Sequence, residues 1–215
     1  MSEREQASGG PAHTERGLER LVFFSDAVVA IAITLIALPL VDTARGVAES
    51  STSKFLADNS YALTAAGISF LVISAFWREH HRLFERATGY TSLLIRVNML
   101  WLLTMVALPV ATVLDVYSHH DDRLAIGIYV GVIVFAMAIA RLEELLLYRG
   151  GLLTDAEELT PTYLASRWLT VAAALLALVV AVAVPSIGLW SLLILVVAAP
   201  LPGAVRRRWP GTDGR

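Results

Sequence analysis

The sequence predicts an all-α membrane protein with six membrane-spanning helices in each protomer. Its composition is 56% hydrophobic and only 17% charged, whereas a soluble domain carries about 25% charged residues. The mean hydropathy is +0.64. Six apolar runs are consistent with membrane spans, and the positive charges gather on one side of those spans. The chain has no cysteine, which excludes disulfides, thiol nucleophiles and thiolate metal sites.

The six apolar runs are close to the roughly 20 residues that a spanning helix needs. They cover residues 20–41, 61–79, 92–116, 123–147, 165–184 and 186–205. Pro185 and Gly188 indicate a tight turn between the last two runs, typical of a helical hairpin. Pro39 and Pro109 lie near the far ends of their helices, where a missing backbone N–H has the least effect.

The polar residues divide the chain into three parts. Residues 1–19 are polar and rich in small side chains, which predicts a disordered tail and does not fit a signal peptide. Residues 20–206 form the predicted six-helix transmembrane domain, and residues 207–215 form a short basic tail.

The placement of Lys and Arg predicts the orientation, because cytoplasmic loops carry the excess of these residues. With the N-terminus placed in the cytoplasm, three of the 17 Lys and Arg residues fall outside: Arg45, Lys54 and Arg123. The other fourteen fall inside, so both tails are predicted to be cytoplasmic. The three consecutive arginines at 206–208 follow an apolar run directly, which favours an anchor to anionic lipid head groups over a nucleic-acid site.

The first run carries two polar residues, Ser25 and Asp26, within its first two turns. On a helix, Asp26 lies about 9 Å beyond Arg20. A carboxylate at that depth is costly unless it is paired or faces water, so it indicates a functional site. The alternative is a helix that begins only after Asp26, which would leave about 15 apolar residues, too few for a span.

The predicted topology brings other polar residues to the level of Asp26. The second run ends near His80 and His81, and Asn98 lies in the first turns of the third run. A network that joins Asp26 to Arg20, a histidine and Asn98 would compensate for the buried charge. The alternative for either histidine is an interfacial position among the head groups, beside a neighbouring tryptophan.

The rest of the first run has an apolar face with one hydroxyl. Ile31, Thr34 and Leu38 share this face at helical spacing, and Asp26 points about 140° away from Ile31. Such a stripe is typical of lipid contact or packing. It also suits a pore gate, because a narrow ring of Ile and Leu side chains loses its water and blocks ions. The periodicity alone leaves both interpretations open.

The segment Arg20-Leu21-Val22-Phe23-Phe24-Ser25-Asp26 resembles a known signature. It matches the R-x-x-x-F-S-D motif of the transmembrane protein 175 family, the endolysosomal potassium channels and their bacterial homologues. The resemblance continues as A-x-x-A-I-x-x-T-x-x-x-L from Ala27 to Leu38 and as F-W-x-x-H-H-R-L-F from Phe76 to Phe84. The third run between Asn98 and Pro109 is also similar, whereas later runs match by hydropathy only.

The resemblance implies a potassium-permeable cation channel that lacks the T-V-G-Y-G filter, which is also absent from this sequence. Single-repeat bacterial members assemble as homotetramers in which the first helix lines a central pore. The family's constriction carries over to Ile31, with Thr34 and Leu38 next on the same face. Its signature network carries over to Arg20, Phe24, Ser25, Asp26, His80, His81 and Asn98.

The resemblance also sets expectations for ligands, partners and location. We expect no cofactor and no tight metal site, with potassium as the permeant ion held transiently near Ile31 and Thr34. The expected partners are further copies of the chain and membrane lipids, without nucleic acid. The expected location is a prokaryotic plasma membrane, and selectivity for potassium over sodium is expected to be modest.

Two other functions were weighed against a channel. A proton-coupled secondary transporter, or a proton-leak channel, would use Asp26 with His80 or His81 as a relay, although transporters usually show inverted repeats and broken helices that are not evident here. An enzyme using Ser25, a histidine and Asp26 is disfavoured, because adjacent residues are about 100° apart on a helix and do not place the base between nucleophile and acid.

Overall fold

The computed structural model describes residues 15–44, 51–118, 122–154 and 161–184, and every regular element within these ranges is an α-helix. The helices are α1 (Glu15–Leu35), α2 (Leu38–Ala44), α3 (Thr52–Asp58), α4 (Ser60–Phe84), α5 (Ser92–Tyr117), α6 (Arg123–Arg149) and α7 (Pro161–Ala183). The described ranges contain one isolated β-bridge, between Ala87 and Leu153, and no strand. The predicted all-α fold class is confirmed.

Five segments of the described residues are long and apolar enough to cross a membrane. They are Arg16–Ala44, Ser60–Phe84, Ser92–Tyr117, Arg123–Arg149 and Tyr163–Ala183. Each corresponds to one of the first five predicted spans. The sixth predicted span, residues 186–205, lies outside the described residues, as do residues 1–14 and the predicted basic tail.

The first span is interrupted, which the sequence analysis did not predict. Helix α1 ends at Leu35, Ile36 and Ala37 form a turn, and α2 begins at Leu38. At the turn the Ala37 amide bonds the Thr34 carbonyl at 3.2 Å, three residues back. Pro39 causes the break, because its ring clashes with the carbonyl four residues earlier and it has no N–H to donate. Pro39 lies near the far end of its span, as the sequence predicts, and the turn before it still divides the helix in two.

The helix ends follow local sequence signals. The Thr91 side chain accepts a hydrogen bond from the Leu94 amide at the start of α5, and Asp122 does the same for the amides of Leu124 and Ala125 at the start of α6. Such caps satisfy amides that have no partner within the helix. After α6 the chain turns at Gly151, whose φ of 62° is in the left-handed region that glycine adopts without strain.

Two hydrophobic clusters hold the helices together. The larger one joins α1, α4, α5, α6 and α7 around fully buried Trp101, Met105 and Tyr129. The smaller one lies at one end of the bundle, which we call the Arg-rich end. It collects residues from the start of α1, the end of α4, the start of α5, the end of α6 and the connection after α6: Leu18, Leu21, Leu83, Phe84, Leu94, Leu147 and Leu153.

Backbone hydrogen bonds join two connections at the Arg-rich end. The Thr88 amide donates to the Leu152 carbonyl at 2.9 Å, and the Thr154 amide donates to the Arg86 carbonyl at 3.0 Å. The connection after α4 therefore lies against the connection after α6. The arginines near these helix ends are consequently on one side of the bundle, as the charge distribution predicts.

Candidate functional site

A chain of hydrogen bonds ties α1 to α5 and α4. The Asn98 amide nitrogen donates to Ser25 Oγ at 2.9 Å, and Ser25 Oγ donates to the Leu21 carbonyl at 2.9 Å. The Asn98 side-chain oxygen lies 2.9 Å from His80 Nε2. Because that oxygen can only accept, His80 carries its hydrogen on Nε2. Asn98 is 0% exposed, so its contacts with the two neighbouring helices are shielded from water.

Aromatic rings hold His80 on both sides. Its ring stacks on Trp101 with a centroid distance of 4.0 Å and on Phe84 with a centroid distance of 4.3 Å. The three buried side chains come from α4 and α5. Stacking fixes the plane of the imidazole, and the Asn98 contact fixes its rotation within that plane. His80 is therefore a rigid member of the packed interior.

Asp26 has a different neighbour from those the sequence analysis considered. Trp77 Nε1 donates to Asp26 Oδ1 at 2.8 Å. From the sequence alone, Trp77 is expected only as an interfacial residue beside the histidines. The signal that pointed to it is its spacing, since Trp77 is three residues before His80 and so lies on a neighbouring part of the same helix face. The hydrogen bond gives α1 a second attachment to α4.

The other predicted network residues occupy different surroundings. The His81 ring stacks on Trp77 at 5.2 Å, and its Nε2 lies 3.3 Å from a carboxylate oxygen of Glu85. Arg20 and Phe24 are exposed in the protomer. The structure thus brings Ser25, Asp26, His80 and Asn98 to one region, with His81 beside it, and the roles predicted for Arg20 and Phe24 stay predictions.

The candidate pore face is exposed on the protomer. Ile31 is 60% exposed and Leu38 is 54% exposed, while Val29 and Ala32 on the other side of α1 are buried. Leu38 belongs to α2, so the break at Ile36 and Ala37 separates it from the other two residues of the predicted face. The prediction that Ile31, Thr34 and Leu38 share one continuous face assumes an unbroken helix, and the helix is broken between Thr34 and Leu38.

Thr34 presents a hydroxyl on this face that has already used its hydrogen. Thr34 Oγ1 donates to the Ile31 carbonyl at 2.7 Å. The oxygen keeps lone pairs that accept from a donor or bind a cation. Within the described residues, no group of three or more His, Asp and Glu side chains is arranged to hold a metal ion.

A cluster of ion pairs, missed by the sequence analysis, joins α4, α6 and α7. Glu79 Oε1 accepts from Arg141 at 2.5 Å and also from Arg167. Glu144 Oε2 lies 2.9 Å from Arg141 Nη1 and 2.8 Å from Arg167 Nε. Arg141 and Glu144 are three residues apart on one helix, a spacing that indicates an ion pair. The sequence analysis considered Arg141 and Arg167 only as evidence of orientation.

Comparison with known proteins points to one family. Residues 20–109 match the family model described as the endosomal/lysosomal potassium channel TMEM175. This range includes the whole hydrogen-bond chain, the Asp26–Trp77 contact and the exposed face of α1. Residues beyond it are matched by individual relatives or by the fold alone.

Two curated bacterial relatives are named as potassium channels. The chain is 34% identical over 128 residues to a relative from Streptomyces collinus. The aligned region covers 56% of this chain and 59% of that relative. The chain is 30% identical over 135 residues to a relative from Chamaesiphon minutus. The aligned region covers 60% of this chain and 64% of that relative. The matched region therefore spans about 60% of the length of these relatives.

A solved structure shares the fold. It is the crystal structure of a lysosomal potassium-selective channel TMEM175 homologue from Chamaesiphon minutus, with a TM-score of 0.69 and 22% identity. The similarity covers 91% of this chain and 100% of that chain. The matched sequence model, the curated relatives and the shared fold agree. Residues 20–109 are therefore similar to the TMEM175 family, and the fold of a TMEM175 homologue is shared over most of the chain.

Proposed function

We propose that this chain forms a potassium-permeable cation channel whose pore is lined by α1 from four copies arranged as a homotetramer. The observation that carries the proposal is the contrast between the two sides of α1. One side is bonded and packed into the protomer, and the other presents Ile31 and Thr34 on the outside. One α1 helix cannot enclose a path by itself, so the exposed sides of several copies must meet around an axis. The named activity of the bacterial relatives supports this assignment.

Ile31 forms the constriction in the proposed channel. Four isoleucine side chains around an axis make an apolar ring, and such a ring blocks ions when water leaves it. Tilt or rotation of α1 widens the ring and lets water return. Leu38 lies farther along, beyond the break, where α2 can change its angle to α1 without disturbing Ile31.

Thr34 supplies the polar contact for the permeant ion. One turn beyond Ile31, its oxygen has lone pairs free because its hydrogen is donated to the helix backbone. Four such oxygens replace only part of an ion's hydration shell. Discrimination between potassium and sodium is therefore modest, potassium is bound transiently as the permeant ion, and no cofactor takes part.

The hydrogen bonds of Ser25 and Asp26 position the pore helix. Asn98 on α5 holds Ser25, and Trp77 on α4 holds Asp26. Neighbouring residues of α1 are thereby attached to two different helices, which fixes the rotation of α1 about its own axis. That rotation decides which face of α1 is turned outward, and so decides that Ile31 faces the pore.

A proton relay through Asp26 and His80 is less compatible with the observed contacts. The Asp26 carboxylate accepts from Trp77, and His80 bonds Asn98 while both faces of its ring are stacked. A relay residue must rotate or exchange partners during each cycle. These side chains serve to hold helices together, which favours the channel.

The proposed setting is a prokaryotic plasma membrane with both termini in the cytoplasm. The ends of α4 and α6 carry arginines and lie together at the Arg-rich end. Cytoplasmic sides of membrane proteins carry such an excess of positive charge. Lipid head groups are therefore the expected neighbours of this end.

Ion flux from proteoliposomes tests the proposal. The purified protein is reconstituted and flux is compared for a potassium gradient, a sodium gradient and a proton gradient, each with a defined membrane voltage. A channel gives voltage-driven cation flux without any second substrate, with potassium ahead of sodium. Flux that requires a coupled proton gradient would contradict the proposed channel. A protein that is a stable monomer in detergent, stays monomeric in the liposomes and still conducts would contradict the proposed tetramer.

A further inference from the structure

Glu79 is the residue that α4 contributes to the cluster of ion pairs near the Arg-rich end. Its Oε1 atom lies 2.5 Å from Arg141 Nη2 on α6 and also contacts Arg167 Nη2 on α7. One carboxylate oxygen is therefore shared between the guanidinium groups of two other helices. The proposed function makes no use of this contact, although it joins α4 to both helices at one point.

The groups that Glu79 contacts are also held by a second carboxylate. Glu144 Oε2 lies 2.9 Å from Arg141 Nη1 and 2.8 Å from Arg167 Nε. The side chains of Arg141 and Glu144 are only 6% and 5% exposed, and close packing leaves such buried side chains little freedom. Arg86, in the connection after α4, also interacts electrostatically with Glu144. The cluster on α6 and α7 is therefore held together without Glu79, and Glu79 places α4 against it.

The turn of α4 that contains Glu79 also holds α1 and α5. Two residues before it, Trp77 donates to Asp26 on α1. The next residue after it, His80, bonds Asn98 on α5. At about 100° per residue, Glu79 points about 100° away from His80 and about 160° away from Trp77. This one turn therefore bonds to α1, α5, α6 and α7, which are the other long helices that the structure describes.

A helical turn moves as one piece, because its geometry fixes the directions of successive side chains. A shift of Glu79 away from Arg141 and Arg167 therefore shifts the indole N–H of Trp77 as well. The bond from Trp77 to Asp26 is one of the two that fix the rotation of α1. A continuous series of bonds thus leads from α7 through α4 to α1, and its coupling can be measured directly.

We propose that Glu79 is a positioning residue for α1. By binding Arg141 and Arg167 it fixes the place of the α4 turn, and it thereby couples the position of α7 to the rotation of α1. This link belongs to the protomer and does not depend on ion conduction. Its consequence, that the ion pairs help to decide how Ile31 faces the pore, rests on the proposed channel function.

Cysteine protection in the reconstituted full chain tests the link without a measurement of ion flux. The chain has no cysteine of its own, so Ile33→Cys introduces a single thiol on the side of α1 that packs against the larger hydrophobic cluster. This thiol is expected to react slowly with a small methanethiosulfonate reagent. Adding Glu79→Gln should speed the reaction about tenfold, because protection is lost when the packed side opens. Arg167→Gln, added in its place, should speed the reaction in the same direction.

Two controls separate a shift of α1 from other effects. Glu85→Gln is the matched charge control, because Glu85 follows α4 directly and pairs with exposed His81; it should leave the reaction rate at residue 33 unchanged. Val130→Cys reports general loosening, since Val130 is 1% exposed in the same cluster but lies on α6. Its reaction rate should stay the same when Glu79→Gln is added.

The link is overturned if the Ile33→Cys thiol reacts at the same rate with and without Glu79→Gln or Arg167→Gln. Equal acceleration of the Val130→Cys thiol overturns it too, because the ion pairs then only stabilise the fold. If Glu79→Gln does not fold, Arg167→Gln decides by the same criteria. If Ile33→Cys does not fold, Val28→Cys replaces it, since Val28 packs against the same cluster.

Potassium flux through the Glu79→Gln protein then tests the consequence for Ile31 separately. Altered flux together with faster labelling at residue 33 supports the consequence. Faster labelling with unaltered flux keeps the link and removes its consequence for the pore. A wild-type protein without any cation flux contradicts the proposed channel and leaves the labelling result, and so the link from α7 to α1, in force.

Discussion

The two halves of the first span differ in how their side chains are attached to the rest of the protomer. The half near the Arg-rich end is attached to α4 and α5 by Ser25 and Asp26, and Leu18 and Leu21 are buried. The half beyond Val29 exposes Ile31 and is broken before Pro39. The comparison teaches that one span combines an anchor with an exposed part, called the working surface, that we propose lines the pore. Changes in the anchor are expected to alter stability, and changes in the surface are expected to alter conduction.

The close fit of the anchor extends to backbone. A methyl group added at Gly17 would lie 2.2 Å from the hydroxyl oxygen of Tyr90 and 2.8 Å from its ring carbon Cε1. Tyr90 belongs to the connection between α4 and α5. A side chain at residue 17 therefore fits only if the Tyr90 ring moves away from α1.

Asn98→Ala is expected to give the largest effect, because it removes the centre of the anchor. It leaves Ser25 Oγ without its donor and His80 Nε2 without its acceptor, at about 1–3 kcal/mol for each buried group. Thermal unfolding of the detergent-solubilised protein should shift to a clearly lower temperature. Met99→Ala, at the exposed neighbouring position, is the control. Equal melting of the two variants would show that the hydrogen-bond chain contributes little to stability.

Gly17→Ala is expected to weaken the anchor by a smaller amount. The Tyr90 ring has to move away from the new methyl group, at a cost of about 1–3 kcal/mol for overpacking. The melting temperature should fall, and Gly17→Ala combined with Tyr90→Ala should recover part of the loss because the clash is removed. A single variant that melts like wild type would mean that the ring moves freely and that the fit is loose.

Ile31→Asn tests the working surface. A polar group wets an apolar ring, so potassium flux is expected to rise about tenfold, which corresponds to a barrier lowered by ~1.4 kcal/mol. Discrimination between potassium and sodium should fall. Leu169→Asn on α7 is a matched control, since Leu169 is 69% exposed but outside the proposed pore. The Ile33 side chain packs against the interior. The variant Ile33→Asn should therefore lower stability without opening a path for ions.

Unchanged flux and selectivity in a correctly assembled Ile31→Asn protein would show that α1 presents another face to the pore. The same rise in flux from Leu169→Asn would show that the effect is a general loosening of the bundle. Either result would break the division of the first span into anchor and working surface.

Thr34→Val is expected to give the smallest effect. The shape is kept and the hydroxyl oxygen is lost, so the ratio of potassium to sodium flux should fall about threefold, equivalent to ~0.6 kcal/mol. Melting should change little, because the hydroxyl bonds only the backbone of its own helix. A ratio equal to that of wild type would assign selectivity to another part of the pore.

The parts of the structure that depend on helical periodicity and span boundaries can be predicted from the sequence. Ser25, His80 and Asn98 were placed at one level because span boundaries and helical rise fix depth, and depth does not depend on details of packing. The same reasoning located the apolar face of Ile31. The all-α membrane fold followed from hydropathy for the same reason.

The features that were missed depend on which side chains meet. Trp77 was recognised as amphipathic, but only tertiary packing decides that its N–H contacts Asp26 and not a head group. Arg141 was counted as a charge on one side of the membrane, although its partners come from α4 and α6. The break before Pro39 was missed because the proline was judged by its distance from the end of the span. What matters is the carbonyl at Leu35 that its ring displaces.

The backbone hydrogen bonds at the Arg-rich end affect how its two connections exchange amide hydrogens with solvent. The amides of Thr88 and Thr154 donate across two separate connections, to the carbonyls of Leu152 and Arg86. Neither amide can exchange its hydrogen with solvent until both connections part from each other. Hydrogen exchange at these two positions therefore reports the separation of the two connections from each other. The connections after α4 and α6 are expected to open together rather than one at a time.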